Sequence, residues 1–151
     1  METDPVNARI LTELQRDATI PLDELGTRVG LSRNACWRRV KQMEDAGIIR
    51  GRVALLDPNK IGLGLTVFIQ IRTNSHTPDW LERFVKATRE LPEILGAYRM
   101  TGDLDYLVHA RVRDVAAYDA LYQRLIRRVD MSDCSASFVM EEIKETTALP
   151  V

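Results

Sequence analysis

At 151 residues the chain has room for one domain or two small ones. Its 45% apolar and 28% charged residues support real cores and exclude bulk disorder. The net charge of -1 does not point to nucleic acid, and two cysteines, Cys36 and Cys134, give neither a disulfide framework nor a zinc spacing.

Asp4 and Pro5 begin the first expected helix, Asp as a cap and Pro in the tolerated first turn. Ile10, Leu11 and Leu14 give it an apolar face. From Pro21 to Arg52 the pattern is two short helices joined by a tight turn. Leu22, Leu25 and Val29 form one apolar face, and Gly30 ends the run as a residue that tolerates positive φ. Gly26 sits where two crossing helices need a side chain too small to clash. Leu31 plugs the turn, and the Ser32 hydroxyl is placed to cap the next helix.

In that second helix Cys36, Val40 and Met43 share a face. Asn34, Trp37, Arg38 and Lys41 lie opposite, and Arg33 sits in the first turn. This is helix-turn-helix logic, in which the second helix lies in a major groove. A plain helical hairpin with a solvated basic face is the competing reading. Charge favours the first: residues 33–52 carry a local balance of +4, whereas residues from 61 onward hold 11 basic and 13 acidic groups. Positive charge collects where phosphates would be met. Cys36 reads as a small core residue, and Trp37 divides between packing and contact with a sugar-phosphate backbone.

Gly47 closes the helical run, and IIRGRVALLD reads as extended, either a wing or a strand that pairs with a second subunit. Asp57-Pro58-Asn59 is a turn, and the glycines of KIGLGL let the chain change direction. The expected boundary falls here, with a helix-turn-helix domain over 1–60 and a second domain over 61–151. The second domain alternates: TVFIQIRT as a strand, then a helix opened by Pro78 with Leu81, Phe84, Val85 and Leu91 on its apolar face. ILGAYRMTG and YLVHARVRD follow as strands, then a helix with Tyr118, Leu121, Leu125 and Val129 in phase, then a last strand from SDCSASFVMEEIKETT. The expectation is an α+β protein, a winged helix-turn-helix followed by a ferredoxin-like βαββαβ domain.

Between the second and third of these strands, Thr101-Gly102-Asp103-Leu104-Asp105-Tyr106 sets two carboxylates on a glycine turn. A carboxylate there is suited to the ammonium of an amino acid, and backbone N–H groups around Gly102 to its carboxylate. A hairpin in which Asp caps its own backbone is the plainer alternative. No nucleophile or metal-ligand cluster accompanies the pair, and His76 and His109 stand alone, so neither an enzyme, a metal nor a cofactor is expected. With no signal-peptide core and no apolar run long enough to span a bilayer, the expectation is a cytoplasmic protein without a membrane partner.

Taken together, LSRNACWRRVKQMEDAGIIRG and, after the right interval, TGDLDYL resemble the Lrp/AsnC family of transcription regulators over nearly the whole chain. CWRR, VALLDPNKIGLGLTVF and SFVMEEIKETTALP resemble a cysteine-responsive subgroup within it. The resemblance implies a sequence-specific regulator of double-stranded DNA that responds to a small amino-acid effector; an architectural DNA-organising protein without an effector is the alternative. It implies dimers through the C-terminal sheet, which often assemble into octamers of four dimers. By position it carries over Ser32, Arg33, Asn34, Trp37, Arg38 and Lys41 as DNA-binding residues. It carries over Tyr98, Met100, Thr101, Gly102, Asp103 and Asp105 as effector contacts, with Ser135 and Ser137 from the last strand. Leu104 stands where aromatic residues are common in the family.

Overall fold

The computed structural model describes residues 4–151. A first compact unit runs to Leu55 and also takes in Ile143–Val151; a second spans Leu56–Glu142. The first contains α1 (Pro5–Arg16), α2 (Leu22–Val29) and α3 (Arg33–Asp45).

Local chemistry sets these helix ends. Asp4 accepts a hydrogen bond from the Val6 N–H at 2.7 Å, ahead of Pro5 in the first turn. Gly30, at φ 73°, ends α2, and the Leu31 N–H returns to the Gly26 carbonyl at 2.8 Å. Ser32 caps α3 by accepting from the Ala35 N–H at 3.3 Å. A Cβ on Gly26 would stand 2.7 Å from the Leu31 carbonyl oxygen, so the small residue admits the turn itself rather than a crossing side chain. Ile10, Leu25, Val29, Cys36, Val40 and Met43 fill the core, as their spacing requires.

The second unit contains β1 (Leu65–Arg72), α4 (Pro78–Glu90), β2 (Ile94–Arg99), β3 (Tyr106–Val112), α5 (Val115–Ile126) and β4 (Asp133–Phe138). The four-stranded sheet is antiparallel in the order β2-β3-β1-β4. Val67, Ile69 and Ile71 of β1 stand opposite Ala110, Val108 and Tyr106 of β3 and share one buried cluster with α4 and α5. Both helices therefore cover the same face, the ferredoxin-like arrangement. The other face carries Phe68, Gln70, Leu107, His109 and Arg111, with Phe68 and His109 stacked at 5.1 Å.

Two details depart from the sequence pattern. Trp80, not Leu81, faces the core of α4: Trp80 is 1% exposed and Leu81 38%. The Thr77 cap and Pro78 set the phase, so Trp80, Phe84 and Ala87 point inward, and the Trp80 indole N–H donates to the Asp130 carbonyl at 2.6 Å. β4 ends at Phe138, and beyond it Glu142 accepts from Thr66 Oγ1 at 2.8 Å and from Arg111 at 2.5 Å. Residues 50–57, expected as a wing or pairing strand, form no ladder in the single chain.

The tail Ile143–Val151 packs with the first unit. Its anchor is reciprocal: the Leu149 N–H donates to Gln15 Oε1 at 2.6 Å, and Gln15 Nε2 donates to the Leu149 carbonyl at 3.1 Å. Two partners 134 positions apart leave no periodic trace in the sequence.

Candidate nucleic-acid interface and effector turn

Burying Cys36, Val40 and Met43 turns the opposite face of α3 outward. Ser32, Arg33, Asn34, Trp37, Arg38 and Lys41 are all exposed on it. Their charges are differently engaged. Arg38 has no ion-pair partner among the described residues, whereas Arg33 lies 3.7 Å from Asp23 and Lys41 lies 2.8 Å from Asp45, whose hydrogen bond raises the lysine pKa. Ser32 spends its hydroxyl on the cap.

Trp37, 56% exposed, also lines a cleft of about 350 Å³ with Leu14, Ile20 and Leu22, so its ring serves packing as well as surface. Arg39, next to Arg38, is turned to α1 instead, with one guanidinium nitrogen 2.9 Å from both Asp4 and Asn7. Helix phase alone separates these two arginines.

At the candidate effector turn, Gly102 adopts φ 99° and the Met100 N–H donates to the Asp105 carbonyl at 2.9 Å, closing the β2–β3 hairpin. Thr101, Gly102 and Asp103 are exposed. Asp105 does not point freely outward: Oδ2 accepts from the Thr73 N–H at 2.8 Å, and Oδ1 lies 4.0 Å from His76 Nε2. Arg72 braces the same turn, donating from Nε to the Asp103 carbonyl at 2.8 Å and reaching Asp133 at 3.4 Å. The sequence reading missed Arg72 and Thr73, because strand pairing brings them to a turn about thirty positions away in the chain.

The expected effector residues fall into two groups. Tyr98, Met100, Thr101, Gly102, Asp103 and Asp105 lie at one end of the β2–β3 hairpin. Ser135 stands on β4, the opposite edge of the sheet, in the row Tyr98–Leu107–Gln70–Ser135. That row spans three strand spacings, about 14 Å. Ser137 stands two positions further along β4, opposite Phe68. A single chain does not bring the two groups together.

Two family models match these two regions: a winged helix-turn-helix DNA-binding model over residues 4–50, and the Lrp/AsnC ligand binding domain over residues 66–149. The chain belongs to the Lrp/AsnC family. It is similar to the glutamate uptake regulatory protein of Zymomonas mobilis, 49% identical over 98% of this chain and 90% of that protein. The DNA-binding transcriptional activator DecR of Escherichia coli is 48% identical over 98% of each chain. A crystal structure of a Neisseria meningitidis transcriptional regulator in complex with L-Met superposes with a TM-score of 0.93 at 39% identity, covering 99% of this chain and 97% of that one.

As an Lrp/AsnC protein this chain is a DNA-binding transcriptional regulator with an amino-acid ligand domain, not an enzyme. Among the described residues no group of three His, Cys, Asp or Glu side chains is placed to hold a metal, and no helix is long and apolar enough to cross a membrane.

Proposed function

We propose that α3 reads an operator in the major groove, with Arg33, Asn34 and Arg38 toward base edges and Ser32, Trp37 and Lys41 toward the phosphate backbone. The observation that carries this is Arg38, exposed and without an ion-pair partner among the described residues, opposite the buried Cys36–Val40–Met43 stripe. A cation that is free of a carboxylate loses less on meeting phosphate or guanine than one already paired.

The effector reading follows from the same geometry. A small amino acid, cysteine before others and leucine next, binds at the Gly102 turn against Tyr98, Met100, Thr101, Asp103 and Asp105. Ser135 and Ser137, on the far sheet edge, reach such a site only from another chain, which supports a pocket shared between copies. The L-Met complex of the Neisseria relative supports the amino-acid class. Binding is non-covalent: burial pushes the Cys134 thiol up to about 11, so it is protonated at neutral pH and a poor partner for thiol exchange.

Assembly completes the mechanism. The helix-free sheet face with Phe68 and Leu107 is covered by a second copy, and the segment 50–57, which forms no ladder in the single chain, pairs across the same homodimer; four dimers close into an octamer. An effector that favours one assembly or dimer arrangement resets the spacing of recognition helices, and so the affinity for multi-site DNA. A thermal-shift screen of the full-length protein against all amino acids, with light scattering of each complex, tests this. Cysteine should raise the melting temperature and alter the assembly. A response to no amino acid, with equal affinity for DNA with and without a defined site, would leave the architectural reading instead.

A further inference from the structure

On β2, Gly96 and Tyr98 share the helix-free face, since they pair with His109 and Leu107 of β3, two positions apart. The register is irregular between Ile94 and Gly96, so the strand bulges just before the glycine. Gly96 does not have a positive φ; its backbone would accept any residue. What it lacks is a Cβ. A Cβ built there would meet the Tyr98 side chain at 2.5 Å from Oη and 2.9 Å from both Cζ and Cε2. The phenol ring therefore occupies the space a side chain at 96 would fill, lying back along β2, away from the Met100–Asp105 turn. A glycine inside a strand where another group approaches closely is a recurring device.

We propose that Gly96 is a specificity-determining position of the effector site, acting through Tyr98: by letting the ring lie back, it leaves the mouth beside Met100 and the Gly102 turn open. The proposal rests on the effector reading above and adds a residue that does not touch the ligand. A methyl group at 96 cannot share the space with the ring. With the space behind it filled, the ring has to take another rotamer, and one directed toward Met100 and the turn narrows the mouth. The narrowed mouth penalises a long side chain more than a short one, which makes Gly96 a control on effector size.

The test is a double-mutant cycle by calorimetry on the full-length protein, with L-cysteine and L-methionine as probes. Gly96→Ala should weaken methionine binding at least tenfold and cysteine binding by less. In a Tyr98→Ala background the same substitution should change either affinity less than twofold. Tyr98→Ala alone, which needs no change at 96, should shift the cysteine-to-methionine affinity ratio. Wild-type affinities in Gly96→Ala, an equal loss in both backgrounds, or an unchanged ratio in Tyr98→Ala would each overturn the role of Gly96 while leaving the effector site standing. Binding of neither probe to the wild type would overturn the effector reading at this turn, and this proposal with it.

Discussion

Asp105 Oδ2 accepts a hydrogen bond from the Thr73 N–H at 2.8 Å, tying the turn after β2 to the end of β1. Thr73 is buried, so removing the acceptor takes away the partner its N–H has in the fold. Asp105→Ala should therefore cost about 1–3 kcal/mol of stability. Asp105→Asn keeps an acceptor oxygen and should melt close to wild type while losing the charge that the proposed site offers to an effector ammonium. Urea melts and effector titrations of both variants separate the tie from the charge. An Asn variant as unstable as the Ala one would show that the charge itself holds the turn.

Gly26 should not tolerate a methyl group. Its Cβ would stand 2.7 Å from the Leu31 carbonyl oxygen, a backbone atom that cannot swing aside without opening the turn. Overpacking of this kind costs about 1–3 kcal/mol. Gly26→Ala should lower the melting temperature and weaken operator binding together, through the changed entry of α3. Thermal melts followed by circular dichroism, paired with a DNA titration, measure both.

Arg38 and Arg39 are neighbours with opposite expected phenotypes. Arg38→Ala should leave the melting temperature unchanged and weaken specific DNA binding by about 1–3 kcal/mol if it touches a base. If it touches a phosphate, it should instead weaken all sequences alike and flatten the salt dependence. Arg39→Ala removes the link to Asp4 and Asn7 and should lower the melting temperature while changing DNA affinity less. Operator binding across a salt series, with melts of both variants, checks this. Wild-type binding by Arg38→Ala at every salt concentration would place that residue outside the groove.

Acid should loosen the helical unit through Glu13. Its carboxylate accepts from Arg28 at 2.8 Å and from Arg16 at 3.0 Å, and the Arg28 hydrogen bond above all holds its pKa below the ordinary 4.5. A carboxylate whose pKa falls on folding adds stability that is complete above its unfolded value. That stability is lost as pH drops through the lower folded value. Melting temperatures recorded from pH 7 down to pH 3 should fall below about pH 4.5 in the wild type. Glu13→Gln should start lower and change less over that window. Parallel curves for the two proteins would remove Glu13 from the acid response.

Several features were fixed in the sequence because they rest on neighbours a few positions apart. The Asp4 and Ser32 caps, the Gly30 turn and the Cys36–Val40–Met43 stripe obey helical spacing, so the exposed face of α3 was legible residue by residue. Alternation likewise placed Val67, Ile69 and Ile71 on one face of β1, and the order of strands and helices implied the ferredoxin-like sheet. Tertiary structure alone decided what depends on distant partners. The Thr77 cap and the indole bond to Asp130 chose Trp80 over Leu81. The Thr73 N–H claimed one oxygen of Asp105, Arg111 and Thr66 claimed Glu142, and Gln15 claimed Leu149. Strand order put Ser135 across the sheet from Tyr98, although both lie on one face. Periodicity reports which face a residue takes, because that is set by local backbone geometry; which partner meets it there is set by packing between segments far apart in the chain.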